Sequence, residues 1–382
     1  MFKETVDFIR RYYGNGKFIP LHEPRFWGKE KEYLNNCIDS TFVSSVGEYV
    51  DRFEKMMAEY TGAKYAVATT NGTLGLHMSL LLAGVKRGDV VISQPLSFIA
   101  TANAIAYIGA EHLFLDVDKE TMGLSPSKME EYLSANAERR NDGQCYLKKS
   151  GQRIGACVPM HSFGHPVKIQ ELAKVCEKFG IVLVEDAAES LGSKVGEKQT
   201  GTFGKLGVYS FNGNKTVTCG GGGIIVTDDQ ALAKRAKHLT TQAKVPHRWD
   251  FVHDEIGYNY RLPNLNAALA CAQLEQLDGF LANKREMAEA YEKFFADKSI
   301  RFVKEPPGTK SNYWLCAVLL SDRKERDGFL TFTNDNGVMT RPAWALMQKL
   351  KMFESSICGN LDNALWLEDR LVNIPSSVRP KS

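Results

Sequence analysis

The chain of 382 residues has no C-x-x-C pair; its eight cysteines stand apart, at positions 37, 145, 157, 176, 219, 271, 316 and 358. That spacing excludes a zinc ribbon and a dithiol redox motif. A chain of this length folds without disulfides, so reduced thiols are expected. The net charge is only +3, with neither a basic run nor an acidic tail, so the electrostatic footprint of a nucleic-acid binder is missing. No window approaches the roughly eighteen consecutive apolar residues of a membrane span. The opening MFKETVDFIRRYYGNGKF mixes acids and bases among its apolar residues, unlike a signal peptide. No membrane partner is therefore expected, and the expected location is the cytoplasm. Also missing is the G-x-G-x-x-G turn of a nicotinamide-binding fold. NGTLGLH has the wrong spacing, and the glycines at 220–223 precede a strand rather than a helix.

Apolar residues make up 43% of the chain, enough for a sizeable core. Strand-like runs at 65–70, 89–95, 111–118, 154–164 and 181–188 alternate with helix-like runs at 71–85, 97–110 and 167–180. This alternation is the pattern of an α/β protein with a mostly parallel sheet between two helical layers. GVYSF (207–211) and GGIIVTDD (222–229) read as a hairpin-type pair. A basic helix follows at 230–243, then an irregular stretch over 244–266, then one amphipathic helix of about thirty residues at 267–297. A strand at 311–320 and short α/β pieces complete the chain. The expected division is a large domain over 1–255, with an N-terminal helical segment, and a small C-terminal domain over 256–382.

The segment from Glu185 to Gly223 brings together an acid, a lysine and a glycine run. In open parallel sheets, ligands bind beyond the carboxyl ends of the strands. IVLVEDAAES places Glu185 and Asp186 at such an end, and one of two adjacent residues must face the crevice. GVYSFNGNK places Ser210 and Lys215 at another strand end. NGT (71–73) stands where a strand hands over to a helix, and helix N-termini bind phosphate through free N–H groups. A crevice with a phosphate site, a buried acid and a lysine suits pyridoxal phosphate (PLP), whose aldehyde takes a lysine as a Schiff base and whose ring nitrogen needs an acid partner. Taken singly, each feature has a plainer reading: a solvated lysine, a helix-capping aspartate, a flexible glycine connection, a common turn. Their joint occurrence carries the argument. His161 and His165 fall in HSFGHP, where Gly164 and Pro166 argue for a loop, and no acid or cysteine set completes a metal site.

NGTLGL, SFIATANAI, EDAAESLG, GVYSFNGNK, GGGG and GYNYRLPNLNAALACAQLEQLD, in that order, resemble the DegT–StrS family of PLP-dependent sugar aminotransferases. The resemblance implies the fold-type I aminotransferase architecture, a large domain with a seven-stranded, mostly parallel sheet sandwiched by helices plus a smaller C-terminal α/β domain. It implies Lys215 as the Schiff-base lysine and Asp186 as the partner of the pyridine nitrogen. Glu189 falls near the phenolic oxygen, Phe98 against the pyridine ring, and Gly72, Thr73 and Ser210 at the phosphate. Asn259 is implied to reach the phosphate of a neighbouring subunit's cofactor, and hence a homodimer with shared active sites. TRPAWALMQKLKMF (340–353) and LEDRLVNIPSS (367–377) resemble the branch that aminates UDP-linked 2-acetamido-4-keto-6-deoxy sugars for cell-surface glycans. The implied substrates are a nucleotide-linked keto-sugar and L-glutamate. Candidate partners for the nucleotide's charges are Arg25, Lys244, His247, Arg248, Arg261 and Arg341. Relatives that dehydrate sugars carry histidine in place of the lysine, so Lys215 favours amino transfer.

Overall fold

The computed structural model describes residues 1–14 and 16–380. Its central sheet is built from β1 (Tyr65–Thr69), β2 (Val90–Ser93), β3 (Glu111–Phe114), β4 (Arg153–Val158), β5 (Val182–Asp186), β6 (Leu206–Ser210) and β7 (Gly223–Thr227). Their order across the sheet is β1-β7-β6-β5-β4-β2-β3. The pairs from β6 to β3 are parallel, β7 runs against both of its neighbours, and the hairpin of Ala137–Arg139 and Cys145–Leu147 adds antiparallel beside β4. This is the expected fold-type I architecture. The parallel strands are apolar almost throughout, as helices on both faces require. One face packs through Val91, Ala156, Val184 and Val208 onto helices Gly72–Leu82, Ile99–Ile108 and Gln230–Thr240. The other face packs through Ile92, Cys157 and Leu183 onto helices Pro126–Asn136 and Ile169–Phe179.

Local signals fix where the helices begin and end. The side chains of Asn71 and Asp229 accept amide N–H groups in the first turns of their helices. Gly109 and Gly180 end theirs at φ 75° and 70°, a conformation that glycine adopts at no steric cost. The thirty-residue helix expected at 267–297 is instead two, Asn264–Leu274 and Leu277–Phe295. The second helix begins in the core of the first, through Leu277 and Phe280, and ends in another. The first packs with Tyr49, Phe53 and Met57 beside the large sheet, and the second reaches the C-terminal layer through Met287 and Tyr291. At the break, the Gln276 side chain donates to Glu30 and to the carbonyl of Ala272.

The C-terminal layer is an antiparallel sheet in the order Arg301–Phe302, Cys316–Leu319, Leu371–Ile374, Arg341–Pro342. Helix Phe2–Tyr13 packs here, with Val6 and Ile9 against Tyr291, Val318 and Phe329, although it opens the chain. Ile357–Cys358 crosses back to extend the large sheet beside β3. No described helix is long and apolar enough to cross a membrane.

Glu185 is fully buried on the sheet face away from the crevice. It accepts the amides of Gly201, Phe203 and Gly204 at 2.7, 2.5 and 2.6 Å, and His161 Nε2 lies 3.0 Å away. The carboxylate thus ties the loop before β6 to the end of β5. Glu185→Ala would leave these donors buried without an acceptor. The expected cost is about 3–5 kcal/mol, measured as a lower midpoint in guanidinium unfolding. Glu185→Gln, which keeps one acceptor oxygen, is expected to recover part of that loss.

Candidate active site

The carboxyl ends of β1, β5 and β6 open onto one cavity of about 350 Å³, closed from the other side by Trp314 and Trp344 of the C-terminal half. Asp186 ends β5, and the strand's alternation turns its side chain into the crevice as it turns Glu185 away. Thr101 Oγ1 donates to Asp186 Oδ2 at 2.6 Å, and the amide of Ala188 donates to Oδ1 at 3.1 Å. Burial raises the proton affinity of Asp186 against these donors and against the nearby Lys215. Adjacent to the cavity, this is a carboxyl that a cationic N–H would return to its ionised form.

Lys215 follows β6 on a turn. Its Nζ lies 3.3 Å from Glu189 Oε1 and 3.9 Å from the centre of the Trp314 indole. The indole Nε1 donates to the carbonyl of Asn214 at 2.6 Å, pinning the residue before the lysine. Glu189 is itself held. Its Oε2 accepts the amide of Phe163 at 2.8 Å, and its carbonyl accepts Asn312 Nδ2 at 2.9 Å. Burial pushes the Glu189 carboxyl up to about 7, although Lys215 and the Phe163 amide pull the other way. The Phe163 backbone takes φ 58°, unusual for a bulky residue, to aim that amide.

Across the cavity, helix Gly72–Leu82 presents its N-terminus. Asn71 accepts the amide of Leu74 at 2.9 Å, while the first-turn amides of Gly72 and Thr73 have no carbonyl within the helix to bond. A Cβ on Gly72 would stand 3.0 Å from Ser210 Cβ, so glycine is what allows this turn to lie against β6. Gly72, Thr73 and Ser210 thus line one end of the cavity, with Lys215 and Asp186 beyond them. Phe98 stands half-exposed at the wall, its ring 6.3 Å from Trp344, which stacks on Phe163 at 4.6 Å.

The remaining sequence candidates lie elsewhere, and none lines the cavity. Asn259 is exposed and accepts Arg261 Nε at 3.2 Å. Arg25 donates to the carbonyl of Val378 at 2.8 Å and pairs with Glu23. Lys244 lies over Phe251, Arg248 over Trp249, and His247 accepts the amide of Asp250, all on an exposed ribbon between Lys244 and His253. Arg341 is exposed on the C-terminal sheet. His161 and His165 are fully buried; His161 Nδ1 accepts the amide of Val167 while Nε2 faces Glu185. Sequence reasoning missed Thr101, Trp314, Trp344 and Asn214. Thr101 had a faint signal, three residues after Phe98 on a helical run. The tryptophans had none, because they reach the site from the other layer.

The residues present fit PLP. They offer a phosphate cradle of helix amides and a hydroxyl, a buried carboxyl in need of a cationic partner, an aromatic wall and a lysine amine at the centre. The sequence profile described as the DegT/DnrJ/EryC1/StrS aminotransferase family matches residues 26–381. Among known proteins, the GDP-perosamine synthase of Escherichia coli O157:H7 is 37% identical over 337 residues, 88% of this chain and 87% of that protein. The GDP-perosamine synthase of Vibrio cholerae is 36% identical over 338 residues, with 88% and 87% covered. Among solved structures, the aminotransferase TlmJ from Streptoalloteichus hindustanus aligns with a TM-score of 0.85 at 28% identity, covering 94% of this chain and 93% of that one. The chain belongs to the DegT/DnrJ/EryC1/StrS aminotransferase family and is a PLP-dependent sugar aminotransferase.

Proposed function

We propose that the enzyme moves an amino group from L-glutamate to the C4 keto carbon of a nucleotide-linked 4-keto-6-deoxyhexose. The observation that carries this reading is the convergence of Lys215, Asp186 and a free helix N-terminus on one cavity. When bound, the cofactor supplies an electron sink for the charge left on carbon as a proton departs. The chain's own groups do the rest. Asp186 holds the proton on the ring nitrogen, and Thr101 and the Ala188 amide hold Asp186. The amides of Gly72 and Thr73 and the hydroxyl of Ser210 bind the phosphate. Lys215 Nζ would take the α-proton from the donor and give it back as the amino group moves, and Glu189 would orient that amine. Phe98, Trp314 and Trp344 keep water from the reacting carbon. Donor and acceptor use the same cavity in turn, so ping-pong kinetics follow.

Two relatives named GDP-perosamine synthase support a GDP-linked hexose as acceptor; perosamine is a 4-amino sugar. The segments at 340–353 and 367–377 support a UDP-linked 2-acetamido sugar instead. Turnover with the two nucleotide sugars decides between them. The proposed assembly is a homodimer with shared sites. The ribbon after Lys244 supports it, since Trp249, Phe251 and Ile256 are 68%, 81% and 85% exposed, a cost in water that a second copy would remove. In that dimer Asn259 serves the phosphate of the neighbouring copy's cofactor, and the basic residues Lys244, His247 and Arg248 of the same stretch serve the charges of the nucleotide sugar.

With PLP, the wild type is expected to show a visible absorbance band that L-glutamate bleaches, and Lys215→Ala to show no such band. A colourless wild type in the presence of PLP would refute the reading. Asp186→Asn is expected to retain bound cofactor, seen as co-eluting absorbance, while turnover falls about a hundred- to a thousandfold.

The cofactor-free protein carries a second test. Glu189 binds its proton more tightly when folded, at about 7, than at its ordinary value of 4.5. It therefore contributes stability that is fully present below pH 4.5 and lost as pH rises to about 7. Across that window, wild type is expected to lose on the order of 3 kcal/mol more than Glu189→Gln, measured by denaturant unfolding of both at each pH.

A further inference from the structure

Lys284 lies on the inner face of helix Leu277–Phe295 and is fully buried. The functional reading above leaves it no part. Among the described residues, its ammonium meets no carboxylate as a hydrogen-bond partner. Nζ donates instead to three backbone carbonyls, of Tyr313 at 3.3 Å, Trp314 at 3.2 Å and Ser376 at 2.5 Å. Burial pushes this ammonium down to about 7, with the Cys316 thiol nearby. Burying a cation without a counter-ion is costly, and packing alone would be served as well by methionine.

The carbonyls it gathers belong to an unusual piece of chain. Tyr313 takes φ 46°, a left-handed conformation that a bulky side chain rarely adopts. On one side of it, Asn312 Nδ2 donates to the carbonyls of Glu189 and Leu191, both at 2.9 Å. On the other side, the Trp314 indole bonds the carbonyl of Asn214 and lies against Lys215 Nζ. The strained turn thus carries the aromatic face that touches the central amine, and Lys284 holds two successive carbonyls of that turn. The two lysines share surroundings. The buried ring of His22 is pushed well below its ordinary range by burial and then by Lys284 and Lys215.

We propose that Lys284 is a positioning residue for Lys215, clamping the 312–314 turn so that the Trp314 indole stays against the Lys215 amine. The inference rests on the reading of Lys215 as the residue that joins the cofactor. It goes beyond that reading by routing the control of the amine through a second lysine on another helix and through an indole from the other layer.

The test follows the growth of the visible band after PLP is added to cofactor-free protein. Lys284→Met keeps the apolar stem and removes the clamp. It is expected to slow band formation about tenfold or more and to shift the pH titration of the band, as is Trp314→Leu. The double variant is expected to lie within about threefold of the slower single variant, because both act through one contact. Additive losses would overturn the proposal, as would a Trp314→Leu protein that behaves like wild type. If Lys284→Met does not fold, Lys284→Gln, which keeps a donor for the carbonyls, takes its place. Failure of both to fold would make Lys284 a determinant of stability alone and would also overturn the proposal. A wild type that forms no band refutes the assignment of Lys215 itself, a different result from a band that forms equally fast in every variant.

Discussion

Two successive carboxylates end β5 and face opposite sides of the sheet, and the site is organised around that alternation. Glu185 turns away and gathers three amides of the loop that leads into β6. It thereby sets where β6 begins, and so where Ser210 and Lys215 emerge. Asp186 turns inward and sits beneath the cavity, held by Thr101 and the Ala188 amide. A slip of one residue in β5 would exchange the two roles. The register is fixed by parallel pairing with β6 and β4, and both faces of the strand are covered by apolar residues.

The cavity's chemistry follows from what surrounds each titratable group rather than from the groups alone. Asp186 and Glu189 are both buried carboxyls whose proton affinity rises, yet their partners differ. Asp186 faces a hydroxyl and an amide and awaits a cation. Glu189 faces the amine of Lys215 and an amide from a strained residue, Phe163. One carboxyl meets a hydroxyl and an amide, the other lies against an amine.

Strain recurs where the two halves of the chain meet. Phe163 and Tyr313 both take positive φ, and both serve the same few ångströms around Lys215, one by aiming an amide at Glu189 and the other by presenting Trp314. Such conformations persist only where the surroundings over-determine them. Here the Asn312 amide, the Lys284 ammonium and the Asn214 carbonyl do so. The site is therefore a product of the contact between the layers as much as of the sheet that carries its lysine and acid.

Much of this was legible in the sequence. The alternation of apolar strands and helices and the apolar runs of β2 to β5 follow from local physics, since periodicity acts within a few residues. The convergence of Asp186, Ser210, Lys215 and the Gly72 turn was legible too, because strand ends in a parallel sheet share one edge. What lay beyond the sequence depends on contacts distant along the chain. The break at Gln276 lets the run, whose Leu277 and Phe280 still pack beside the large sheet, reach the C-terminal layer with Met287 and Tyr291. The packing of Phe2–Tyr13 on the C-terminal layer, the approach of Trp314 and Trp344 and the burial of Lys284 under three carbonyls are set by how the layers close on each other. Periodicity places an apolar face but does not name its partner, so the sequence by itself determined the sheet, its edge and the acid and lysine on it. Only the tertiary structure decided which aromatic rings and which buried cation surround that lysine.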